Sequence, residues 1–469
     1  MKQFVAEATL KEAYAQSLEI LESVGVRFDS EEIRQLFQKH GAQIDGDRVR
    51  IPNFLVEEAI RTTPNKGESQ HGEKRIVAAT PFGNAPFILD DETGIIHRCT
   101  ILEAIKFYQI NETSPLYECV NPGCADPQDN DAPDQFVAQI AMSLKYSNKY
   151  PSIGLRATRS TALDEDVYGS ARKAFRLVRE FYDIWEQPVM TQSICPNSPL
   201  TYDRECLENL CAVIDEKQSI SISPCSIGFM TAPETIMGVV VHDFAMALAG
   251  LVLIQLKSPG HETSLSESST IAQIRTLQPN YGSIESVYLQ VIFYELCKSR
   301  DIPCSISGGY GDGTRVDYQA GMEATLTAML PFHLTEIQEV WCYPGILAGF
   351  ACGSFRKAIL DEEMMRVTNR MIQGAVMTID HNLPETLSAG MAAGNFLGQG
   401  SMKTYHRDNY MTQVFNKWGI GQADNPEKSD LATISQSTID QRIASYELPE
   451  RTAAQKKILQ AHLPSQCQK

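Results

Sequence analysis

Nothing in this chain's cysteine usage points to a resident metal or a disulfide framework. Its 12 cysteines include no C-x-x-C pair and scatter singly from Cys99 to Cys467. Cys119, Cys195, Cys225, Cys304 and Cys342 fall in strand-like runs, where a small buried thiol is the default. A zinc site of the His-x-Cys or H-x-H type finds no matching spacing, so no metal is expected. Positive charge is scarce too. With 41 Lys and Arg against 58 Asp and Glu, the net charge of -17 repels phosphate backbones and argues against nucleic acid. It favours a cationic ligand or a basic partner surface. Long apolar runs are also missing. The first twenty residues mix Lys, Glu and Gln with apolar ones, unlike a signal peptide. The most apolar stretch, 236–256, is broken by His242, Asp243 and Gln255, so it reads as a buried helix, not a membrane span. A soluble cytoplasmic protein is expected.

What the chain does contain is globular: 43% hydrophobic, 21% charged, 30 Gly and 23 Pro. Residues 1–100 read as an N-terminal helical arm and β-hairpin extension. Apolar spacing over 10–24 gives a helix, Ser30 caps a second one, and 75–96 looks like hairpins punctuated by Pro, Gly and Asn. From 101 to 450 strand and helix alternate. Strand-like runs fall near 116–120, 150–155, 188–195, 219–223, 262–266, 302–307 and 339–343. Helical patterns fill most gaps. Seven such units point to a parallel sheet, most economically a (β/α)8 TIM barrel, with the eighth strand expected between 373 and 396. A doubly wound sheet is the alternative, but no G-x-G-x-x-G follows the early strands. Residues 451–469 read as a C-terminal tail.

In such a barrel, chemistry gathers where strands end. Those ends are rich in small and polar residues: Asn121-Pro122-Gly123, Cys195-Pro196-Asn197-Ser198, Ser223-Pro224-Cys225-Ser226, Ser307-Gly308-Gly309-Tyr310-Gly311-Asp312 and Tyr343-Pro344-Gly345. Loops of this kind let backbone approach a broad ligand closely.

A family pattern runs through these residues. Asp45-Gly46-Asp47-Arg48-Val49-Arg50-Ile51-Pro52 with Leu55-Val56-Glu57-Glu58-Ala59, then Asp90-Asp91-Glu92-Thr93-Gly94, Asn197-Ser198-Pro199-Leu200, Ser221-Ile222-Ser223-Pro224, Ala249-Gly250, Pro279-Asn280-Tyr281-Gly282-Ser283 and Gly394-Asn395-Phe396-Leu397 resemble, in order, motifs of the trimethylamine:corrinoid methyltransferase family. The resemblance implies a barrel that passes a methyl group to the cobalt of a corrinoid (cobalamin) carried by a partner protein, with no cofactor bound permanently. Founding members carry pyrrolysine. This chain has only standard residues and reads through the region after Gly309, so it is similar to the members lacking that residue, several of which use glycine betaine or carnitine-like quaternary amines. The chemistry supports the division. A quaternary ammonium leaves as a neutral tertiary amine and needs no acid, only positioning and desolvation. The family's Gly-His-Phe-Leu motif is here Gly394-Asn395-Phe396-Leu397, a departure that bears on the methyl acceptor.

A quaternary ammonium has no N–H to donate, so aromatic faces and diffuse negative charge must recognise it. Period-2 alternation puts Glu339, Trp341 and Tyr343 on one strand face, a carboxylate with two aromatics. The plainer reading is a packed strand with Glu339 paired to a neighbouring base. Tyr310 and Asp312 follow the 302–307 strand; Asp312 faces the cation or else ties a glycine-flanked turn. Asp317 follows the same strand a little further on, and Glu285 reads as a helix-start carboxylate, with a role in the site as the alternative. For the carboxylate of a betaine, Arg156, Arg159, Arg315 and His333 are candidate donors. No catalytic residue stands out. The rival class is a non-catalytic binding protein for quaternary amines on the same fold. A homo-oligomer is expected, with the N-terminal arm as one means of assembly.

Overall fold

The computed structural model describes residues 4–65, 74–80, 85–123, 125–151, 153–154, 166–377, 379, 381–398 and 400–468. Its centre is a seven-stranded, all-parallel sheet. In spatial order it runs Arg75–Ala78, Glu339–Cys342, Cys304–Gly308, Thr263–Ser266, Ser219–Ile222, Thr191–Ile194 and Ile153–Gly154. Ala78 also bridges Tyr117, and Val120 bridges Pro151, both in parallel. Residues 117–120 therefore stand between the two edges of the sheet. All seven runs expected as strands take part in these pairings.

The strand expected between 373 and 396 is corrected by the structure. That segment is exposed and carries the helix Leu383–Ala393. The place beside Glu339–Cys342 belongs to Arg75–Ala78, paired Glu339↔Arg75 through Cys342↔Ala78. Four residues between loops give no periodic signal of their own; the long-range register supplies the strand. Of the hairpins expected over 75–96, Phe87–Leu89 does pair antiparallel with Ile96–Arg98, but Arg75–Ala78 pairs in parallel with Glu339–Cys342 and belongs to no hairpin. The extension thus contributes a strand to the central sheet, and no boundary at residue 100 separates the two.

Helices alternate with the strands, and most open on a side-chain cap. Thr100, Asp134, Asp203, Thr235, Ser283, Asp317 and Ser354 each accept a backbone N–H from the first turn, satisfying donors that a helix start leaves orphaned. Ser30 does the same for Glu31–Lys39. The apolar Ile236–Lys257 is long enough to cross a membrane, yet every residue from Val239 to Gln255 is buried. It is the core helix, flanked by Glu7–Glu19, Asn53–Thr62 and Ile284–Ser299. Each large side chain buried there contributes about 2 kcal/mol. A Cβ on its Gly250 would meet the Tyr202 hydroxyl at 2.1 Å, which itself donates to the Met246 carbonyl at 2.9 Å; only glycine lets the helix sit this close.

The chain ends are docked on the body. Phe4 and Val5 donate backbone N–H to the Glu295 carboxylate at 2.7 and 2.8 Å, so the start of the N-terminal arm is tied to its own chain. The expected tail is also corrected. Ala453–Gln460 packs on Gln135–Tyr146 and Val167–Tyr182, and Leu459, Leu463 and Cys467 are buried, because Arg451 anchors the segment to the Leu144 and Ser147 carbonyls.

Candidate functional site

The two faces of the central sheet differ in chemistry. Ile220, Ile222, Leu265, Ile306 and Val340 are buried against the helices. The alternate positions point to the inner face: Thr191, Ser193 and Cys195; Ser219 and Ser221; Ser264, Ser266 and Ser268; Ser305 and Ser307; Glu339, Trp341 and Tyr343. All of these are half-buried. A parallel α/β sheet ordinarily fills this face with Val, Ile and Leu. Here hydroxyls line it and bond across strands, Ser221 to Ser266 at 3.2 Å and Ser223 to Ser268 at 2.8 Å. Side chains this small leave space beside the two aromatics.

At the strand starts the charges are paired. Glu339, the first residue of its strand, accepts from Arg75 Nε at 2.9 Å, and Arg75 also holds Glu118. A cavity of about 360 Å³ opens there, lined by Ser264, Lys298, Ser305, Glu339 and Trp341 among others. Glu339, Trp341 and Tyr343 do share one face, but strand direction spreads them from the start of the sheet to its end. Only Tyr343 reaches the loops that carry Tyr310 and Asp312.

Those loops form the other end. The loop after Ser307 is tied to the one after Tyr343, Ala348 N to Gly313 O at 3.0 Å and Gly349 N to Gly311 O at 3.1 Å. Gly309 takes φ +75°, and a Cβ there would press on Cys342 at 3.0 Å. Ala348 and Phe350 hold positive φ without being glycine, strain of the kind that gathers at functional sites. Phe350 packs on Tyr281 and Tyr310, with ring centroids at 5.1 and 4.8 Å. Tyr310 is buried, its hydroxyl accepting from Gln290 at 2.5 Å. Asp312 accepts from the backbone N–H of Tyr281 and Gly282 at 3.0 and 2.6 Å, the turn-tying role. Burial raises its pKa to about 6, and the nearby Glu323 carboxylate adds to the effect.

Behind this end lies a buried acidic network that sequence reasoning missed. Asp243, on the core helix, accepts from Ser226 at 2.5 Å, from Ser269 at 2.8 Å and from His242 Nδ1 at 2.7 Å. Ser198 bonds Ser226 in turn. Glu267 directly follows the Thr263–Ser266 strand and is buried. Its Oε1 accepts from Ser269 N at 2.9 Å, while Oε2 has no hydrogen-bond partner. Burial, reinforced by Asp243, pushes its pKa well above the carboxylate range. An ionised Glu267 would raise the Tyr310 and Cys225 pKa values, so these groups share one neighbourhood. Cys195 and Cys225 stand 3.8 Å apart at the mouth; the hydrogen bond from Cys225 holds the Cys195 thiol below its usual pKa. The signals are present in sequence: an acid one residue past an expected strand, and a His-Asp pair interrupting an apolar helix.

The remaining candidates lie elsewhere. His333 is exposed on an outer groove with Met322 and Leu326, remote from the loops because it closes the helix that runs back from them. Arg315 is exposed and donates to the Gly94 carbonyl. Asp317 caps its helix by accepting from Ala320 N at 3.1 Å, and Glu285 sits in the first turn of Ile284–Ser299. Arg156 and Arg159 lie outside the described residues. Among the described residues no cluster of three or more His, Cys, Asp or Glu could hold a metal ion.

A parallel βα sheet with a hydroxyl-lined inner face and buried carboxyls at its strand ends is the framework of an α/β enzyme. The chain belongs to the trimethylamine methyltransferase (MTTB) family, which it matches over residues 2–467, and it is a methyltransferase. It is 32% identical to the proline betaine:corrinoid methyltransferase of Eubacterium limosum, covering 98% of this chain and 97% of the relative. To the L-carnitine:corrinoid methyltransferase of the same organism it is 29% identical, over 99% and 97%. To the glycine betaine methyltransferase of Desulfitobacterium hafniense it is 24% identical, over 95% and 93%. Among solved structures it is similar to the monomethylamine methyltransferase of Methanosarcina barkeri, with a TM-score of 0.51 at 9% identity, over 96% and 90%. That likeness is one of fold.

Proposed function

We propose that the sheet closes through residues 117–120 into a (β/α)8 barrel whose lumen holds a small quaternary amine of the betaine class. Its methyl group passes to cobalt(I) of a corrinoid carried by a separate protein, in the cytoplasm. The observation that carries this reading is the group of buried carboxyls behind the strand ends that no basic side chain pairs, Glu267 among them with its proton held until a cation arrives. Glu267, Asp243 and Asp312 have no Lys or Arg in ion-pair contact among the described residues. A cation without N–H groups suits such a site, since no donor is needed and the field supplies the attraction. Relatives named for proline betaine and carnitine support the class.

In this reading Tyr343 offers its ring face to the ammonium at the strand ends, and Trp341, two residues earlier on the same inner face, forms the floor beneath it. The serine hydroxyls solvate the rest of the molecule without competing charge. Asp312 and the Phe350 loop fix the mouth, so that the scissile N–CH3 bond points outward. The quaternary nitrogen keeps the bonding pair and departs as a neutral tertiary amine, so no residue has to deliver a proton. Cobalt(I) supplies the nucleophile. Small side chains at the mouth, Cys195, Cys225 and Ser268, leave room for a flat macrocycle to lie against the strand ends. The chain works as a homo-oligomer.

Calorimetric titration of the protein alone tests the binding half. Proline betaine, carnitine and glycine betaine are compared with their N-demethylated counterparts, for wild type, Trp341→Ala and Tyr343→Ala. At least one quaternary acid is expected to bind about tenfold tighter than its tertiary analogue, and the aromatic variants to lose that preference with the fold intact. Equal binding of both amine classes, or preference retained in both variants, overturns the proposal.

A further inference from the structure

We propose that the described residues between 374 and 411, centred on the helix Leu383–Ala393, form a self-association arm that seats on the groove between the helices Tyr318–Leu334 and Phe355–Gln373 of a second copy of this chain. Among the described residues of this stretch all are exposed except the half-buried Thr386 and the buried Gly390. Yet the arm is rooted at both ends. It leaves Phe355–Gln373 at Gly374 and returns where Arg370 donates to the Asp408 carbonyl at 2.9 Å and Tyr410 to Glu363 at 2.7 Å.

Its helix, Leu383–Ala393, spans 11 residues. A helix of that length is marginal in water without packing on one face. Leu383, Leu387 and Met391 recur at i, i+4 and i+8, one stripe, and all three are exposed, Met391 at 80%. Phe396 and Leu397 extend the patch, Leu397 at 88%. Only five of the thirty-eight residues are charged, Asp380, Glu385, Lys403, Arg407 and Asp408, the depletion found at interface cores. An apolar patch this continuous marks a protein contact.

The groove offers the matching surface. Met322, Leu326, Met329, Leu330 and Met364 line a cavity of about 570 Å³ on the outside of the same chain. Within one copy the stripe stays exposed, and the groove, bounded on one side by Phe415 and Leu431, keeps its Met322 and Leu326 face open, so exchange between two copies satisfies each. Placement selects this occupant over a corrinoid-carrying partner. Phe355–Gln373 ends beside the strand starts, where Asn369 accepts from Ile76 N at 2.7 Å, and the arm emerges there. A methyl acceptor must reach the opposite end of the sheet.

Sedimentation velocity and light scattering at micromolar concentration test this without substrate or corrinoid. Wild type is expected to run as a dimer or larger assembly of the 52.1 kDa chain. Leu387→Glu/Met391→Glu on the arm, or Met322→Glu in the groove, should weaken assembly about a hundredfold, and mixing the two variants should restore a heterodimer. Amide exchange over 383–393 guards against misfolding of the variants: protection in wild type should fall on dilution. A monomeric wild type overturns the proposal, whether or not the arm then captures a corrinoid protein. So does assembly unchanged in both variants. Because the readout is mass, these results are separate from the fate of the methyl-transfer reading.

Discussion

The two ends of the central sheet handle negative charge in opposite ways. At the strand starts Glu339 and Glu118 meet Arg75, and Glu336 meets Lys74 at 3.7 Å. These groups are partly exposed and already matched. At the strand ends Glu267, Asp243 and Asp312 are held by serine hydroxyls, backbone N–H groups and one imidazole, and burial raises the Glu267 and Asp312 pKa values. A matched ion pair gains little from a ligand. An unmatched buried carboxyl costs stability until a cation arrives, which is how a binding site differs from a structural one. The cavity of about 360 Å³ by the strand starts has its charges already spent.

The contrast between the ends meets its severest test at Asp243. Asp243→Ala leaves two buried serine hydroxyls and the His242 ring without their acceptor. It should cost about 3 kcal/mol in urea denaturation and slow methyl transfer by loosening loops that carry Ser198 and Ser226. A variant as stable as wild type would show that the network does not hold this end together. Glu267→Gln is the next step down. If a bound cation draws the Glu267 proton off, betaine affinity should climb with pH in wild type, by about tenfold, and stay flat in the glutamine variant. Identical pH profiles would take Glu267 out of the site.

Asp312 gives a smaller effect of defined sign. Its folded pKa of about 6 lies above the ordinary 3.8, so the folded state holds the proton more tightly than the unfolded one. Stability should therefore fall as pH rises from about 4 to about 6, by about 1 kcal/mol once solvent screening of this part-exposed group is allowed for, and then level off. Asp312→Asn should flatten that segment of the stability curve; a slope that survives would assign it to another group. The smallest change is expected at the strand starts. Arg75→Met should cost about 0.5 kcal/mol and leave the KM for the amine untouched. A raised KM would move the site to that end.

Much of this arrangement is legible in the residues. Seven strands announce themselves through alternation bounded by Pro and Gly, and the shared face of Glu339, Trp341 and Tyr343 follows from period 2 alone. Arg75–Ala78 does not, because four residues carry no period and its partner lies more than 250 positions away. Periodicity also says nothing of neighbours, so the Arg75 that neutralises Glu339 is invisible to it. Glu267 escapes because its burial comes from the core helix passing behind it, a tertiary fact. His242 and Asp243 are visible as interruptions of an apolar run, but their meaning emerges only when serines from two strand-end loops converge on them.

The most direct test is methyl transfer to free cob(I)alamin, followed by its absorbance change, with proline betaine, carnitine, γ-butyrobetaine, glycine betaine, choline and trimethylamine offered in turn. Methylation is expected from at least one quaternary amine and none from trimethylamine, whose neutral nitrogen would have to leave as an amide anion. Transfer from trimethylamine, or from no quaternary amine even when a cognate corrinoid protein replaces the free cofactor, would contradict a quaternary-amine methyltransferase.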